Sequence, residues 1–120
     1  MGLSQDEVEK QIQAVEKIQE DGVNNQDLKA IASTYAENAV LIHLGHSVTH
    51  GLENIAEGFR PFFGKTLTTE KQAAYDINNG EYLMRKGRYC FPGEKWNRFM
   101  QLHQRQPDGS YKIIHDEFDY

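Results

Sequence analysis

The first part of the chain carries the apolar pattern of an amphipathic helix. Aliphatic residues recur at spacings of four, three and three, which places them on one helical face: Val8, Ile12, Val15 and Ile18. Ser4 precedes this stripe, and Glu7 lies three residues after Ser4, which is the spacing of a capping box. Gly22 is the predicted end of this helix, and Asp27 is the predicted cap of a second, shorter one.

Beyond the second helix the pattern changes to short apolar runs. Residues 39–44 and 47–51 are rich in β-formers and flank a glycine, which predicts a hairpin. Residues 52–63 return to helical spacing, but Gly58 and Pro61 should shorten or bend that helix.

The second half of the chain has the pattern of strands separated by turns. Strands are predicted at 66–77, 81–91, 95–105 and 111–120, with turns at NNGE, PG and QPDG. Helices grouped before antiparallel strands indicate the α+β class, and the 120 residues are predicted to form one domain, 1–120. A sheet bent around a long helix would leave a conical cavity suited to small molecules.

The composition narrows the set of partners. The chain has 18 acidic and 13 basic residues and a formal net charge of -5, which disfavours nucleic acid. No apolar run approaches the ~20 residues of a membrane-spanning helix, so no membrane is expected as a partner, and the first ten residues lack a secretory pattern. Cys90 is the single cysteine, so no disulfide forms within the chain and a reducing cytoplasmic location is expected.

Three histidines fall close together, at His43, His46 and His50. Their spacings of three and four suit one face of a helix, but the surrounding residues predict a hairpin. A hairpin with a short turn does not bring all three onto one face, and no HExxH or paired-cysteine motif accompanies them. No metal site is therefore predicted, and no cofactor is expected.

Four stretches, in order, resemble the nuclear transport factor 2-like superfamily, and more closely its small SnoaL-like and ketosteroid-isomerase-like domains. They are NNQDLKAIASTYAENAVLI (24–42), THGLENIAEGFRPFF (49–63), NGEYLMRKGRY (79–89) and LHQRQPDGSYKIIHDEFD (102–119). The resemblance implies a cone-shaped α+β fold with N-terminal helices packed on a strongly bent antiparallel sheet, and a homodimer formed through the sheet face. It does not imply one function, because the superfamily includes isomerases, dehydratases, cyclases and non-catalytic assembly domains.

The resemblance also suggests site residues. The general-base position of ketosteroid isomerase corresponds to His43, and the positions of its two oxyanion donors correspond to Gln19 and Gln101. Glutamine is a weaker donor there than a phenol or a carboxylic acid, so steroid isomerisation itself is not expected. By the same count along the resemblance, Asp116 of the last strand should face the cavity, and alternation places Ile114 and Phe118 on the same face.

His43 and Asp116 form the candidate catalytic pair. A carboxylate beside a neutral imidazole orients it as a general base, which suits proton abstraction next to a carbonyl or dehydration. The alternative is that His43 only orients a ligand or supports the cavity wall. The candidate ligand contacts are Gln19, Tyr35, Leu41, Phe59, Phe62, Gln101, His103 and Phe118.

The leading interpretation is a domain that binds a small apolar or amphipathic molecule. Any chemistry would be cofactor-free and of the isomerase, dehydratase or cyclase type. The alternative is a non-catalytic oligomerisation or partner-binding domain. An open cavity with converging polar groups favours the first interpretation, whereas a cavity filled by side chains favours the second.

Overall fold

The computed structural model describes residues 2–120, and its N-terminal half contains the helices. These are α1 (Gln5–Asn24), α2 (Leu28–Ser33) and α3 (Leu52–Glu57), with a 3-10 turn at Arg60–Phe62 after α3. The predicted capping box is present, because Ser4 Oγ accepts the Glu7 backbone N–H and the Glu7 carboxylate accepts the Ser4 backbone N–H. None of the helices in residues 2–120 combines the length and apolar character needed to cross a bilayer.

The buried face of α1 differs from the predicted stripe at its C-terminal end. Val8, Ile12 and Val15 are buried as predicted, but Ile18 is 48% exposed. With about 3.6 residues per turn, the stripe of positions 8, 12 and 15 continues to positions 19 and 22 rather than 18. Gln19 therefore takes the inward position, and the helix runs past Gly22 to Asn24.

Six strands form one sheet: β1 (Tyr35–His43), β2 (Ser47–His50), β3 (Thr68–Ile77), β4 (Tyr82–Cys90), β5 (Asn97–Arg105) and β6 (Tyr111–Phe118). Their order across the sheet is β2-β1-β6-β5-β4-β3. Neighbouring strands are antiparallel except β1 and β6, which run parallel, so the sheet is mixed. This parallel pair joins the first strand to the last, a non-local contact that no local pattern encodes.

The sheet curves around α1. Register shifts interrupt three of the strand pairs, β1 with β6, β3 with β4, and β5 with β6. Such irregularities bend a strand and increase its twist. The main apolar core lies between the helices and the inner face of the sheet, and its centre includes Ile12, Ile31 and Ile113. The α+β class and the cone-shaped arrangement of helices on a bent sheet are confirmed.

Residues paired across neighbouring strands point to the same face, so the register defines rows on the inner face. The first row is fully buried: Leu83, His103, Ile113 and Tyr35. The middle row is Arg85, Gln101, Asp116 and Leu41. The third row is Gly87, Phe99, Phe118 and His43.

A bulge in β6 corrects one prediction about that strand. His103 pairs with Ile113 and Leu102 pairs with His115, so Ile114 is the extra residue. Strict alternation therefore fails between positions 113 and 116. Ile113, only 1% exposed, joins the core in place of the predicted Ile114.

Candidate functional site

A cavity of about 890 Å³ lies between α1, the segment that follows α3, and the inner face of the sheet. The apolar part of its wall is largely aromatic, and its members include Leu41, Phe59, Phe62, Tyr89, Phe99 and Phe118. The sheet contributes the floor through Gln101, Asp116 and Leu41 of the middle row and Phe99 and Phe118 of the third row. This volume falls within the range of small-molecule sites in proteins.

Four polar side chains form a closed ring of hydrogen bonds at the floor of this cavity. Tyr35 Oη donates to Asp116 Oδ2 at 2.5 Å, and Gln101 Nε2 donates to the same oxygen at 3.0 Å. Gln101 Nε2 also donates to Gln19 Oε1 at 3.1 Å, and Gln19 Nε2 donates to Tyr35 Oη at 3.0 Å. Helix α1 and strands β1, β5 and β6 each supply one member.

Both donors to Asp116 meet the same carboxylate oxygen. Among residues 2–120, no side chain donates a hydrogen bond to Oδ1. Oδ1 is also not completely enclosed by protein atoms. Asp116 lies on the cavity wall. Oδ1 is therefore the carboxylate oxygen that a molecule in the cavity would meet.

The environment of Asp116 changes its acidity. Burial raises the pKa of Asp116 to about 6, because loss of hydration outweighs the stabilising hydrogen bonds from Tyr35 and Gln101. Burial, followed by the neighbouring Asp116 charge, raises the pKa of Tyr35 well above its ordinary value. Tyr35 thus stays a neutral donor, while a pKa of about 6 means that the Asp116 carboxyl loses its proton near pH 6.

Part of the cavity wall is charged. Glu16, Glu20 and Asp21 of α1 line the cavity, and nearby lysines pair with them. Lys17 Nζ lies 3.0 Å from Asp21, and Lys71 Nζ lies 3.2 Å from Glu16 and 3.6 Å from Glu20.

Behind the cavity, a buried arginine joins α1 to the sheet. The Arg85 guanidinium is bonded to Glu9 at 2.7 Å and to Glu16 at 2.8 Å, and Arg85 is 1% exposed. The sequence prediction did not include these residues. A signal was present in the sequence. Glu9 and Glu16 lie beside the apolar stripe of α1, and Arg85 is at an inward-facing position of β4, so a buried ion pair between the two elements could have been predicted.

The candidate pair His43 and Asp116 does not form a hydrogen bond in the structure. Asp116 bonds to Tyr35 and Gln101, whereas His43 lies one row further along the sheet, opposite Phe118. Diagonal neighbours in a sheet are roughly 7–8 Å apart. The His43 ring instead stacks on Phe118 at 4.8 Å and on His46 at 4.1 Å.

The predicted ligand contacts fall into two groups. Six line the main cavity: Gln19, Leu41, Phe59, Phe62, Gln101 and Phe118. Tyr35 and His103 lie behind the wall, in the fully buried row, where Tyr35 supports Asp116. Burial, followed by the charge of Arg85, lowers the pKa of His103 to about 4, so this ring is neutral at physiological pH.

The histidine-rich hairpin does not present a metal site within the described part of the chain. Residues 2–120 contain no group of three or more His, Cys, Asp or Glu side chains arranged to hold an ion. His46 and His50 are exposed, on the turn and on the edge strand β2.

The comparisons with known proteins identify the fold. A ketosteroid isomerase-like protein from Erwinia carotovora atroseptica superposes with a TM-score of 0.73 at 16% identity, covering 97% of this chain and 97% of that one. A nuclear transport factor 2-like protein of unknown function from Pseudomonas putida gives 0.71 at 16% identity, covering 98% and 89%. A candidate calcium/calmodulin-dependent protein kinase type II association domain from Thiobacillus denitrificans gives 0.71 at 14% identity, covering 89% and 92%.

Sequence comparison alone finds no relative. No protein-family model matches the chain, and no curated protein matches it. The chain has the nuclear transport factor 2-like fold, as the sequence resemblance predicted. Because these neighbours differ in what they are named for, the fold by itself selects no function.

Proposed function

We propose that this chain binds a small, mainly apolar molecule in the 890 Å³ cavity and that Asp116 exchanges a proton with it. One observation carries the proposal: a buried carboxylate at the floor of an open aromatic cavity keeps one oxygen free of protein donors among residues 2–120. A structural carboxylate would have both oxygens satisfied, since buried polar groups are normally hydrogen-bonded.

The chemistry that fits this arrangement is cofactor-free proton transfer. A carboxyl group with a pKa of about 6 can accept a proton from a weakly acidic C–H next to a carbonyl and return it elsewhere. Tyr35 and Gln101 hold Oδ2, so Oδ1 is the proton acceptor. Isomerisation and dehydration both need this step, and the likeness to a ketosteroid isomerase-like protein supports the same reaction class.

His43 has a different place in this proposal from the one the sequence suggested. Because it makes no hydrogen bond to Asp116, the carboxylate rather than an oriented imidazole is the proposed base. His43 borders a separate, smaller cavity.

The cytoplasmic location also stays a prediction, which cell fractionation would check.

The test of cavity binding uses N-phenyl-1-naphthylamine, a neutral aromatic probe whose fluorescence rises in apolar sites. Thr69 lies on the cavity wall at the edge strand β3, and Thr68 is its neighbour on the opposite face. We expect saturable probe binding to the wild type and to Thr68→Trp, and at least tenfold weaker binding to Thr69→Trp, because the indole fills the mouth. Equal binding by both tryptophan variants, or no binding to the wild type, contradicts the proposal.

The role of Asp116 is tested in the same assay by competition. The competitors 2-naphthol and 2-methoxynaphthalene differ in one O–H donor. The wild type at pH 7.5 should prefer the naphthol by about tenfold, the value of one hydrogen bond to a charged acceptor. Asp116→Asn should lose most of that preference and still bind the neutral probe. An unchanged preference in Asp116→Asn means that Oδ1 does not contact the bound molecule.

The outer face of the sheet supports a second proposal, that the chain forms a homodimer through this face. Apolar side chains there are only half buried: Ile42, Met84, Met100 and Leu102. Trp96, 41% exposed, stacks on Arg88 at 4.3 Å beside Glu70 on the same face. A partly apolar sheet face without a covering layer is suited to a second copy.

A further inference from the structure

A second, smaller cavity lies next to the main one. It has a volume of about 200 Å³. Gly58, Phe62, Lys65 and Phe118 line both cavities. The walls of the smaller one alone are His43, Pro61, Phe91 and Tyr120. We call this space the side compartment.

Two aromatic rings separate the side compartment from the main cavity. Phe62 and Phe118 meet edge to face, with their centroids 6.3 Å apart. Phe62 also stacks on Phe91 at 5.6 Å, and Phe118 stacks on His43 at 4.8 Å. Because this wall is one ring thick, a molecule in the main cavity lies one aromatic layer from His43.

Lys65 is the cation shared by the two spaces. Three lysines line the main cavity, and Lys17 and Lys71 are paired with carboxylates of α1. Lys65 has no carboxylate partner among residues 2–120, and its ammonium lies 5.0 Å above the centre of the Phe91 ring. The aromatic ring holds the ammonium at the compartment while leaving it free for an anion.

His43 supplies a second unpaired polar group to the compartment. Its Nε2 atom is enclosed and has no hydrogen-bond partner among residues 2–120. An enclosed nitrogen without a partner loses its hydration without compensation, which is uncommon in folded proteins. Nε2 is closed off in this arrangement, so the ring has to turn toward the compartment before its Nε2–H can donate a hydrogen bond to a ligand oxygen there.

The charges around the two spaces give a bound molecule one orientation. Asp116 at the floor disfavours an anion deep in the main cavity, where Glu16 and Glu20 are already paired with Lys71. Lys65 is the unpaired cation among residues 2–120 that line these spaces, and it lies where the two spaces meet, so it favours an anion at that border. We propose that the side compartment is an anion subsite, in which Lys65 and His43 hold the carboxylate of an amphipathic ligand. The apolar body of that ligand lies in the main cavity, and its reacting end faces Asp116.

This inference rests on the proposed function and names its ligand class, an amphipathic monocarboxylate. It also gives His43 a ligand-positioning role that does not need contact with Asp116. Phe62 or Phe118 has to change rotamer for one molecule to occupy the two spaces together, because these rings line both of them.

The experiment compares 1-naphthaleneacetate with 1-naphthaleneacetamide, which have nearly the same shape and differ in charge. Each is used to displace N-phenyl-1-naphthylamine from the wild type and from four variants at pH 7.5. We expect the acetate to displace the probe at about tenfold lower concentration than the amide, the value of one charge-assisted hydrogen bond. Lys65→Gln and His43→Ala should each lose most of that ratio.

Two matched variants serve as controls. Lys29→Gln changes an exposed lysine of α2, and His50→Ala changes an exposed histidine of β2. Neither position lines a cavity, so both should keep the wild-type ratio. Unchanged affinity of the neutral probe in every variant shows that the cavity itself is intact.

The outcomes separate this inference from the proposed function. If the neutral probe binds but acetate and amide compete equally, the anion subsite is overturned and cavity binding stands. If the acetate is preferred and Lys65→Gln and His43→Ala keep that preference, the anion binds elsewhere and the subsite is again overturned. If the probe does not bind to the wild type at all, the proposed function fails and this inference fails with it.

Discussion

At the scale of single residues, Asp116 and His103 are titratable groups whose burial shifts their pKa in opposite directions. Asp116 has its pKa raised to about 6, and His103 has its pKa lowered to about 4. In both cases burial penalises the charged form, which is the anion for Asp116 and the cation for His103. Folding therefore extends the pH range over which each group is neutral, upward to about pH 6 for Asp116 and downward to about pH 4 for His103.

These two shifts make opposite contributions to stability between about pH 4 and pH 6. The folded state keeps a proton on Asp116 that the unfolded chain releases near pH 3.8. The stability that Asp116 contributes at low pH is therefore lost as pH rises through about 6. His103 is protonated in the unfolded chain below about 6.5, so its contribution is lost as pH falls toward 4. The two slopes partly cancel in the wild type.

Asp116→Asn should therefore reveal the slope that comes from His103. The difference in unfolding free energy, variant minus wild type, should grow from pH 4 to pH 6 by on the order of 2 kcal/mol and then level off. Urea unfolding curves at several pH values measure this. Asp6→Asn, an exposed change on α1, is the control. A difference that stays constant across this pH range would mean that Asp116 is an ordinary carboxylate.

At the scale of elements, Arg85 ties α1 to β4. Its guanidinium bonds Glu9 and Glu16, two turns apart on α1, while the strand buries its stem. Breaking a buried ion pair is more costly than its net contribution suggests, because the remaining charge stays buried. Glu16, 6% exposed, is that charge here, although Lys71 remains beside it.

Arg85→Met should lower the unfolding free energy by about 3 kcal/mol. The double variant Arg85→Met with Glu16→Gln should recover at least part of that loss, since the buried Glu16 carboxylate is gone and the remaining one, Glu9, is partly exposed. Arg88→Met removes an exposed pair with Glu70 and should cost roughly 1 kcal/mol or less. Thermal and urea unfolding measure all three. Equal effects of the two arginine variants would show that burial of the pair is unimportant.

At the scale of the whole molecule, the proposed homodimer accounts for the half-buried apolar outer face. Met100 lies near the centre of that face, paired with Lys86 and Glu117 of the neighbouring strands. Met100→Lys should weaken dimerisation by roughly 2 kcal/mol, or about 30-fold. Sedimentation equilibrium over a range of concentrations measures it.

The control for this change is Ile18→Lys, an exposed apolar residue on the helical side, which should leave the dimer unchanged. A wild type that is monomeric at all concentrations contradicts the dimer proposal. A larger closed ring would instead favour the non-catalytic assembly domain, the alternative that the candidate association-domain neighbour also raises.

Local patterns predicted most of the elements. The capping box at Ser4, the Asn-Gly turn after β3 and the Gly58 and Pro61 interruptions each depend on residues close together in the chain, and the structure has each of them. These features follow from backbone geometry and nearby hydrogen bonds, which a sequence encodes directly. The inward direction of Asp116 was expected from the residue count along the family resemblance, and the bulge at Ile114 shows that alternation alone does not hold through this strand.

The sequence by itself thus determined the order and type of elements, the amphipathic α1 and the chemistry available to line a cavity. Tertiary structure decided the partners: the parallel pairing of β1 with β6, the bulge that puts Ile113 in the core, and the row offset between His43 and Asp116. It also decided the closed ring of Gln19, Tyr35, Gln101 and Asp116. The physical reason is that the register between distant strands depends on the packing of the whole sheet. If two strands pair two residues further along, side chains that could have formed a hydrogen bond no longer lie opposite each other.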